Sequence, residues 1–292
     1  MSGQTLQQIR GLLAAAGLSP RHRFGQNFLI DLNLMRKLVA AAELTPADVV
    51  LEVGPGTGSL TEMLLESGPR VVAAEIDHGL ARLLRERLGE RPRFTLIEGD
   101  ALASKHRINP ALLAALAAEP VESGGSRKLV ANLPYQVATP LLMEGLLLRQ
   151  GFERLCVTVQ REVGLRFTAA VGDEGYGPLA IAMQTLAHVE TIAHLPPAAF
   201  WPRPEVESLM VRIRPRPGGS LPVRDAAAFV AFVQKCFLHR RKTLLAAMRH
   251  VGLRGEELLP RVGVNPAARA EQLAPADWQA MFAAAQAPPG PR

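Results

Sequence analysis

The chain has 292 residues, 48% of them hydrophobic, and a formal net charge of +6. This length allows one large domain and a smaller one, and the positive charge favours a polyanionic partner. The amino terminus lacks the charged start and apolar core of a signal peptide, and no run of about 20 apolar residues could span a bilayer. We therefore expect a cytoplasmic protein without membrane association.

Several classes of function are disfavoured by the motifs that the sequence lacks. The histidines show no HxH or HExxH spacing, so we expect no metal site. No Gly-x-Ser-x-Gly elbow and no Walker lysine occur, which disfavours hydrolase and NTPase chemistry. The two cysteines, Cys156 and Cys236, fall in apolar positions and are interpreted as buried thiols rather than as a disulfide.

Strand and helix patterns alternate along most of the chain. Buried-strand patterns occupy residues 49–53, 71–75, 94–98, 129–132 and 155–160. Helical patterns occupy residues 33–42, 58–67, 78–89, 110–118, 139–149 and 161–169. Such alternation predicts an α/β fold with a parallel sheet covered by helices on both faces. Two further strands, near 187–193 and 208–214, are expected to form an antiparallel hairpin at one edge, giving a seven-stranded, mostly parallel sheet.

Residues 49–61 have the pattern of a buried strand that enters a glycine-rich turn and then a helix. The glycines are Gly54, Gly56 and Gly58, and Ser59 stands where a dinucleotide fingerprint requires glycine. This disfavours NAD as the ligand. Glycines at such a turn still allow close backbone approach, which suits a nucleoside ligand without a pyrophosphate, such as S-adenosylmethionine.

The next two strands end in acidic residues. Glu75 stands about 20 residues beyond the glycine turn, where a carboxylate can accept hydrogen bonds from two ribose hydroxyls. Asp100 follows the third strand and could accept from an adenine amine. Each acid alone is more typical of a solvated loop. Because the carboxyl ends of parallel strands meet in one crevice, we expect the glycine turn, both acids and Asn132 to line one site.

Residues 132–135 read Asn-Leu-Pro-Tyr and carry the most informative chemical signal in the chain. An adenine amine is a poor nucleophile because its lone pair is delocalised into the ring. The Asn132 carbonyl and the backbone carbonyl beside it could accept both N–H protons and orient the nitrogen towards an electrophile. Tyr135 offers a flat face on which an unstacked base can lie. Alternatively, this is a plain strand-to-helix turn in which Thr139 caps a helix that begins at Pro140.

In this order, these motifs resemble the KsgA-type ribosomal RNA adenine N6,N6-dimethyltransferases, which dimethylate two adjacent adenosines near the 3′ end of 16S ribosomal RNA. The resemblance covers almost the whole chain. Its segments are 23–29, 54–58, 75–77, 99–101, 132–135, 160–163, 176–179, 196–208 and 240–243. The chain departs from the family at residues 136–138, where Gln-Val-Ala replaces the usual Asn-Ile-Ser.

The resemblance implies a Rossmann-like S-adenosylmethionine-dependent methyltransferase domain followed by a small, all-helical C-terminal domain. It implies that the cofactor is bound by Asn27, Leu29, Gly54, Gly56, Glu75, Ile76, Asp100, Ala101 and Asn132. It implies that the catalytic residues are Asn132, Leu133, Pro134, Tyr135 and Phe200. The rings of Tyr135 and Phe200 would sandwich the flipped adenine. From sequence alone, an ordinary core position for Phe200 is equally open.

A proline- and glycine-rich cluster at 215–222 predicts a boundary between a catalytic domain, 1–214, and an RNA-binding domain, 215–292. We expect one side of the first C-terminal helix to be apolar and to present Phe229, Val233, Cys236 and Leu244. Another side should be basic and present Lys235, His239, Lys242 and Arg249. Such a face is usually only solvated. Together with the resemblance, it predicts phosphate contacts by Lys235, Arg240, Arg241 and Lys242, and by Arg21 and Arg23 near the N-terminus.

The predicted function is direct, in-line methyl transfer to an extruded adenosine of the small ribosomal subunit, without a covalent enzyme intermediate and with a role in subunit biogenesis. We expect a monomer that acts on the small subunit and its 16S ribosomal RNA. Two alternatives stay open. One is an adenine N6-methyltransferase of the resistance type that acts on large-subunit RNA, and the other is a ribosome-assembly factor with little activity.

Overall fold

A computed structural model describes residues 3–105, 107–148, 151–216 and 223–286. Its α-helices are α1 (Leu6–Ala15), α2 (Leu32–Ala41), α3 (Ser59–Glu66), α4 (His78–Leu88), α5 (Pro110–Ala118), α6 (Tyr135–Leu147), α7 (Arg161–Phe167), α8 (Pro178–Leu186), α9 (Val223–Phe237), α10 (Leu244–His250), α11 (Gly255–Arg261) and α12 (Pro275–Gln286). Its strands are β1 (Phe28–Leu29), β2 (Val49–Val53), β3 (Arg70–Glu75), β4 (Phe94–Glu98), β5 (Leu102–Ser104), β6 (Arg107–Ile108), β7 (Arg127–Asn132), β8 (Arg154–Gln160), β9 (Ala187–Leu195), β10 (Phe200–Trp201) and β11 (Ser208–Pro215).

The main sheet has seven strands in the order β4-β3-β2-β7-β8-β11-β9. The strands from β4 to β8 are parallel neighbours, and β11 runs antiparallel to β8. The predicted seven-stranded, mostly parallel sheet is therefore confirmed, with β9 and β11 adjacent at one edge as expected. The strand order reverses between β2 and β7, and α/β proteins bind ligands outside the carboxyl ends of the strands at such a point.

The start of α6 differs from the sequence-based expectation. We predicted a helical segment from 139, or a helix that begins at Pro140, whereas α6 begins at Tyr135 directly after Pro134 and contains Pro140 in its interior. A proline in a helix lacks the N–H that would bond to the carbonyl four residues earlier. Burial of Leu141 and Leu142 on the same helix outweighs this loss. The early start gives Tyr135 a fixed helical backbone.

The chain divides into two compact units. One comprises Met1–Gly164 and Glu190–Arg214, and the other comprises Leu165–Val189 and Pro215–Arg292. One division therefore coincides with the predicted boundary at 214/215, although residues 217–222 of the predicted linker lie outside the described residues. The domain predicted as 1–214 is not continuous, because Leu165–Val189 belongs to the second unit. The physical reason is that the buried side of α8 packs in the helical core of that unit.

The second unit has its own aromatic core. Phe229 and Phe282 pack edge to face with ring centroids 5.6 Å apart, and Trp278 lies fully buried beside them. The Tyr176 hydroxyl donates a hydrogen bond to the Leu273 carbonyl oxygen at 2.6 Å. Both cysteines are buried as predicted, Cys236 in this core and Cys156 in β8 of the first unit.

The expectation of one continuous basic helix from Lys235 to Arg249 is wrong. α9 ends at Phe237, and α10 begins at Leu244 after Thr243, whose hydroxyl accepts a hydrogen bond from the Ala246 N–H at 3.4 Å. Threonine is a strong helix N-cap, so Thr243 begins a new helix in the middle of the basic run. The basic residues between the two helices therefore lie on a connecting segment.

Candidate active site

A cavity of about 280 Å³ is lined by residues at the carboxyl ends of β2, β3 and β7. Most of the predicted site residues of the first unit line it. They are Arg23, Asn27, Gly54, Gly56, Glu75, Ile76, Asp100, Ala101, Asn132, Leu133, Pro134 and Tyr135. The sequence argument that four strand ends share one crevice therefore agrees with the structure.

The glycine turn after β2 is packed closely. Gly54 and Gly56 have φ values of 71° and 62°, which side chains rarely tolerate. A Cβ on Gly56 would lie 2.7 Å from Phe28 Cε1, and one on Gly54 would lie 3.1 Å from Pro134 Cγ. The absence of side chains here allows Phe28 and Pro134 to pack directly against the turn.

Glu75 is a buried acceptor at the end of β3, with only 3% of its surface exposed. Its Oε2 accepts a hydrogen bond from the Gly56 N–H at 3.1 Å, and its Oε1 accepts one from the Asp77 N–H at 2.9 Å. Burial raises the pKa of Glu75 to about 7, although the backbone donors lower it. The carboxylate form keeps lone pairs for further donors in the cavity.

A second buried acid, Glu52, lies on β2 and was not singled out from sequence. It is 1% exposed, and its Oε2 accepts a hydrogen bond from the Thr61 hydroxyl at 2.7 Å. Burial raises the pKa of Glu52 to about 8, and the nearby Glu75 charge raises it further. Glu52 also lines a smaller cavity of about 30 Å³, whose other lining residues include Asn132.

The segment after β4 supplies another acid to the cavity. Asp100 is exposed, and its Oδ1 accepts a hydrogen bond from the Leu102 N–H at 2.9 Å. The Asp100 carbonyl oxygen accepts one from Asn109 Nδ2 at 2.8 Å, which holds the turn. Ile76 is 39% exposed, which is unusual for an isoleucine, and its apolar surface forms part of the cavity wall.

The amide of Asn132 is held at both ends. Its Nδ2 donates a hydrogen bond to the Asn27 backbone oxygen at 2.8 Å, and its Oδ1 accepts one from the Thr158 hydroxyl at 2.5 Å. The side chain of Asn27 turns away and donates to the Gly25 carbonyl oxygen at 3.3 Å. Asn132 is therefore oriented by a backbone carbonyl and a buried hydroxyl, neither of which was predicted from sequence.

Tyr135 is half-buried and lines the cavity from the first position of α6. Its hydroxyl and the Ser208 hydroxyl share a hydrogen bond of 2.8 Å. Burial raises the pKa of Tyr135, so the phenol is neutral at physiological pH. The ring is thus anchored at its polar tip, and one neutral aromatic side chain borders the cavity beside Asn132.

Phe200 and Leu29, two of the predicted site residues, do not line the cavity of about 280 Å³. Phe200 is 3% exposed, packs in the core of the first unit and does not line the cavity. Of the two interpretations left open by the sequence, burial favours a core residue over a stacking surface for a base. Leu29 pairs with Phe200 between β1 and β10, is 4% exposed and lines the smaller cavity.

The two arginines near the N-terminus differ in their surroundings. Arg21 forms an ion pair with Asp77 at 3.2 Å and does not line the cavity. Arg23 lines it, is exposed, and places its guanidinium 4.6 Å from the centre of the Phe24 ring. Arg23 therefore lies exposed at the cavity, whereas Arg21 is held by Asp77.

The basic residues of the second unit are not equivalent either. Arg240 donates a hydrogen bond from Nε to Glu271 Oε2 at 2.5 Å, and Lys242 contacts the ring of His250. No ion pair joins Arg241 or Lys235 to any residue that the structure describes, and both are exposed. The sequence showed no acid within this basic run, whereas folding brings Glu271 to it.

Sequence reasoning also missed polar residues that support the site. Gln4 is buried near the glycine turn, where its Nε2 donates to the Thr57 backbone oxygen at 3.1 Å and its N–H donates to Ser59 Oγ at 2.8 Å. Thr158 interrupts the apolar run of β8, and a polar residue in a fully buried strand is the signal that could have identified it.

Two kinds of feature are absent from the part of the chain that the structure describes. Among the described residues, no group of three or more His, Cys, Asp or Glu side chains is arranged to hold a metal ion. None of the helices that the structure describes is long and apolar enough to cross a membrane.

Comparison with known proteins supports one family. The family model for ribosomal RNA adenine dimethylase matches residues 17–287. A "Ribosomal RNA small subunit methyltransferase A" from Phenylobacterium zucineum is 42% identical over 282 residues, covering 96% of this chain and 93% of the relative. A protein of the same name from Pelotomaculum thermopropionicum is 39% identical and covers 91% of each chain.

Solved structures agree on the fold. A dimethyladenosine transferase from Plasmodium falciparum superimposes with a TM-score of 0.67 at 22% identity, covering 85% of this chain and 94% of its own. The 23S rRNA methyltransferase ErmE superimposes with a TM-score of 0.64 at 26% identity, covering 88% of this chain and 99% of its own. The family match and the relatives near 40% identity together establish that this chain belongs to the ribosomal RNA adenine dimethylase family.

Proposed function

We propose that the protein transfers methyl groups from S-adenosylmethionine to the N6 amines of two adjacent adenosines near the 3′ end of 16S ribosomal RNA, as part of small-subunit biogenesis. The supporting relatives are named small-subunit methyltransferases and share 42% and 39% identity with the chain, against 26% for the 23S enzyme ErmE. The observation that carries the proposal is the doubly held Asn132, which lines the same cavity as Glu75 and Tyr135.

The cofactor side of the cavity fits an adenosyl group. Glu75 offers a buried carboxyl with free lone pairs for the ribose hydroxyls, Ile76 offers apolar surface for the adenine, and Asp100 offers an acceptor for its amine. Gly54, Gly56 and the backbone near Asn27 leave room for the methionine portion. When bound, S-adenosylmethionine supplies an electrophilic methyl group on a positively charged sulfur.

The target side fits a neutral, extruded adenine. The Tyr135 ring provides a stacking surface, and such a contact contributes about 1 to 3 kcal/mol per base. The Asn132 Oδ1 and the backbone carbonyl of Leu133 accept the amine protons and so orient the nitrogen lone pair. Pro134 stiffens the turn that carries these groups. Phe200 stabilises the fold in this proposal and does not stack on the base.

No strong base is required for the transfer. Transfer would form the C–N bond as the C–S bond breaks, so the positive charge would move from the sulfur to the amine nitrogen, beside the carbonyl oxygens of Asn132 and Leu133. The alkylated nitrogen is then acidic enough to release its proton to water. After the first transfer one N–H remains, so the second transfer requires the same residues to hold a monomethylated amine.

We further propose that the protein acts as a monomer in the cytoplasm on the small ribosomal subunit and without a metal ion. RNA phosphates would be met by Arg23 at the cavity and by Arg21 close by. In the helical unit the proposed contacts are Lys235, Arg240, Arg241 and Lys242. The exposed Arg241 and Lys235, which form no ion pair with a described residue, are the strongest of these candidates.

The direct test supplies the purified protein with S-adenosylmethionine and with small or large ribosomal subunits that lack the modification. We expect two N6,N6-dimethyladenosines in the 16S RNA, identified by mass spectrometry of nuclease fragments. Modification of large-subunit RNA alone would instead favour the resistance-type activity. Binding to small subunits with no methylation of either RNA would favour an assembly factor.

A further inference from the structure

Thr158 is a buried hydroxyl next to the proposed catalytic amide. It lies on β8 directly opposite Asn132 of β7, is 0% exposed, and donates a hydrogen bond to Asn132 Oδ1 at 2.5 Å. Its neighbours on the strand, Val157 and Val159, are apolar and fully buried. Threonine in such a strand gives no more stability than valine would, unless the hydrogen bond of its hydroxyl serves another purpose.

The two hydrogen bonds of Asn132 specify the orientation of its amide. The Asn27 carbonyl oxygen can only accept, so it must face Nδ2, and Oδ1 must then face Thr158. Without the hydroxyl, Oδ1 would be held only through Nδ2, and the amide could swing about its bond to Asn27. Thr158 donates to Asn132 and Asn132 donates to the Asn27 carbonyl oxygen, and consecutive hydrogen bonds of this kind polarise and strengthen one another.

We propose that Thr158 is a positioning residue for methyl transfer and fixes the Asn132 Oδ1 where it accepts an N–H of the target amine. The inference rests on the proposed role of Asn132. An amide oxygen has two lone pairs, and Thr158 occupies one, which leaves one for the amine. The monomethylated amine has a single N–H, so the second transfer depends on that acceptor more than the first.

The test compares Thr158→Val, which removes the hydroxyl at nearly constant volume, with Thr158→Ser, which keeps it. We expect Thr158→Val to slow single-turnover methylation of small subunits by about 10- to 100-fold, as expected for a misaligned reacting group. Its product should shift from dimethyladenosine towards monomethyladenosine. The affinity of Thr158→Val for S-adenosylmethionine, measured by calorimetry, should equal that of the wild type. Thr158→Ser should retain most of the wild-type methylation rate.

Stability separates positioning from a structural role. Valine suits a buried strand and serine does not, so Thr158→Val should melt at or above the wild-type temperature and Thr158→Ser below it. The order of stability is thus opposite to the order of activity. Thr95→Val is the matched control, because it removes a strand hydroxyl that donates a hydrogen bond to Glu119 Oε1 at 2.9 Å. Thr95 lies on β4, which β3 and β2 separate from the strand of Asn132.

Several outcomes would overturn the inference. Wild-type rate and product ratio in Thr158→Val, with Asn132→Ala inactive, would show that Asn132 acts without help from Thr158. Equal loss in Thr158→Ser and Thr158→Val would show that the hydroxyl is irrelevant. Full activity in Asn132→Ala would instead overturn the proposed role of Asn132 itself, and the two failures are therefore distinguishable.

Discussion

The two sides of the cavity differ in their titratable groups. The side built on β2 and β3 carries the buried acid Glu75, and Glu52 of β2 lines the smaller cavity. Burial raises the pKa of Glu75 to about 7 and that of Glu52 to about 8. The side built on β7, β8 and β11 presents the neutral groups Asn132, Tyr135 and the hydroxyls that hold them. The acids of the first side change their protonation near neutral pH, whereas the amide and hydroxyl groups of the second side stay neutral, so pH should affect cofactor binding and apo stability more than methyl transfer.

The largest expected effect on methyl transfer is on the neutral side. Asn132→Ala should reduce single-turnover methylation by about 10²-fold, the scale of removing one preorganised polar group at a reacting centre. The loss should be the same at pH 6.5 and pH 8.5, because no titrating group is removed. Binding to small subunits, measured by filter retention, should be near wild type. A nearly unchanged rate would show that Asn132 is structural only.

The next effect separates the two aromatic residues. Tyr135→Ala should raise the free-energy barrier to methylation by about 1 to 3 kcal/mol, because the stacking contact is lost. Tyr135→Phe keeps the ring and should keep most of the wild-type rate. Phe200→Ala should cost about 3 to 5 kcal/mol of folding stability, as for a large core side chain. Denaturant unfolding and initial rates distinguish them. A folded, stable Phe200→Ala with lost activity would return Phe200 to the base-stacking role.

The raised pKa of Glu52 can be tested through the pH dependence of folding stability. Its pKa in the folded protein is about 8 against 4.5 when exposed, so the folded state holds a proton that the unfolded state has lost. The stability from this difference is fully present below pH 4.5 and disappears as pH rises through 8. The free energy of unfolding of the cofactor-free wild type should therefore fall by about 2 kcal/mol between pH 6 and pH 8 because of Glu52.

Glu52→Gln is the matched variant, because its amide oxygen can still accept the Thr61 hydroxyl proton. Its unfolding free energy should change less with pH than that of the wild type over the same interval. Parallel pH profiles for the two proteins would mean that Glu52 ionises at an ordinary pH in the folded chain.

A smaller effect is expected at Glu75. Ribose hydroxyls donate best to the carboxylate form, and the pKa of about 7 means that this form declines below neutral pH. Affinity for S-adenosylmethionine should fall by about tenfold from pH 8 to pH 6, since one pKa unit corresponds to a tenfold change. Glu75→Gln should bind more weakly at pH 8 and show a flatter profile. Calorimetry of the wild type and the variant at both pH values checks this prediction. Any effect of the ligand's own titration is common to the two proteins and cancels in the comparison.

The sequence predicted the sheet, the glycine turn and the strand-end acids because each depends on local patterns and on a general rule of α/β topology. It could not predict that Asn132 is held by Thr158 and the Asn27 carbonyl, because those contacts join residues 26 and 105 positions apart. It also missed α8, because this nearly all-apolar segment lacks the periodicity of an amphipathic helix, and α8 belongs to the helical unit. The pairing of Arg240 with Glu271 is long-range in the same sense.

The smallest expected effect concerns RNA binding by the basic residues of the helical unit, for which the pairing of Arg240 with Glu271 provides a comparison. If Arg241 meets an RNA phosphate, Arg241→Ala should lower the slope of log affinity against log salt by about 0.7 to 0.9. Arg240 is the matched comparison, because its ion pair with Glu271 competes with any phosphate. Arg240→Ala should therefore change the slope less than Arg241→Ala does. RNA affinities at several salt concentrations, with melting temperatures as a folding control, distinguish the two arginines. An unchanged slope for Arg241→Ala would move the phosphate contacts elsewhere, and Arg23 at the cavity is the next residue to test.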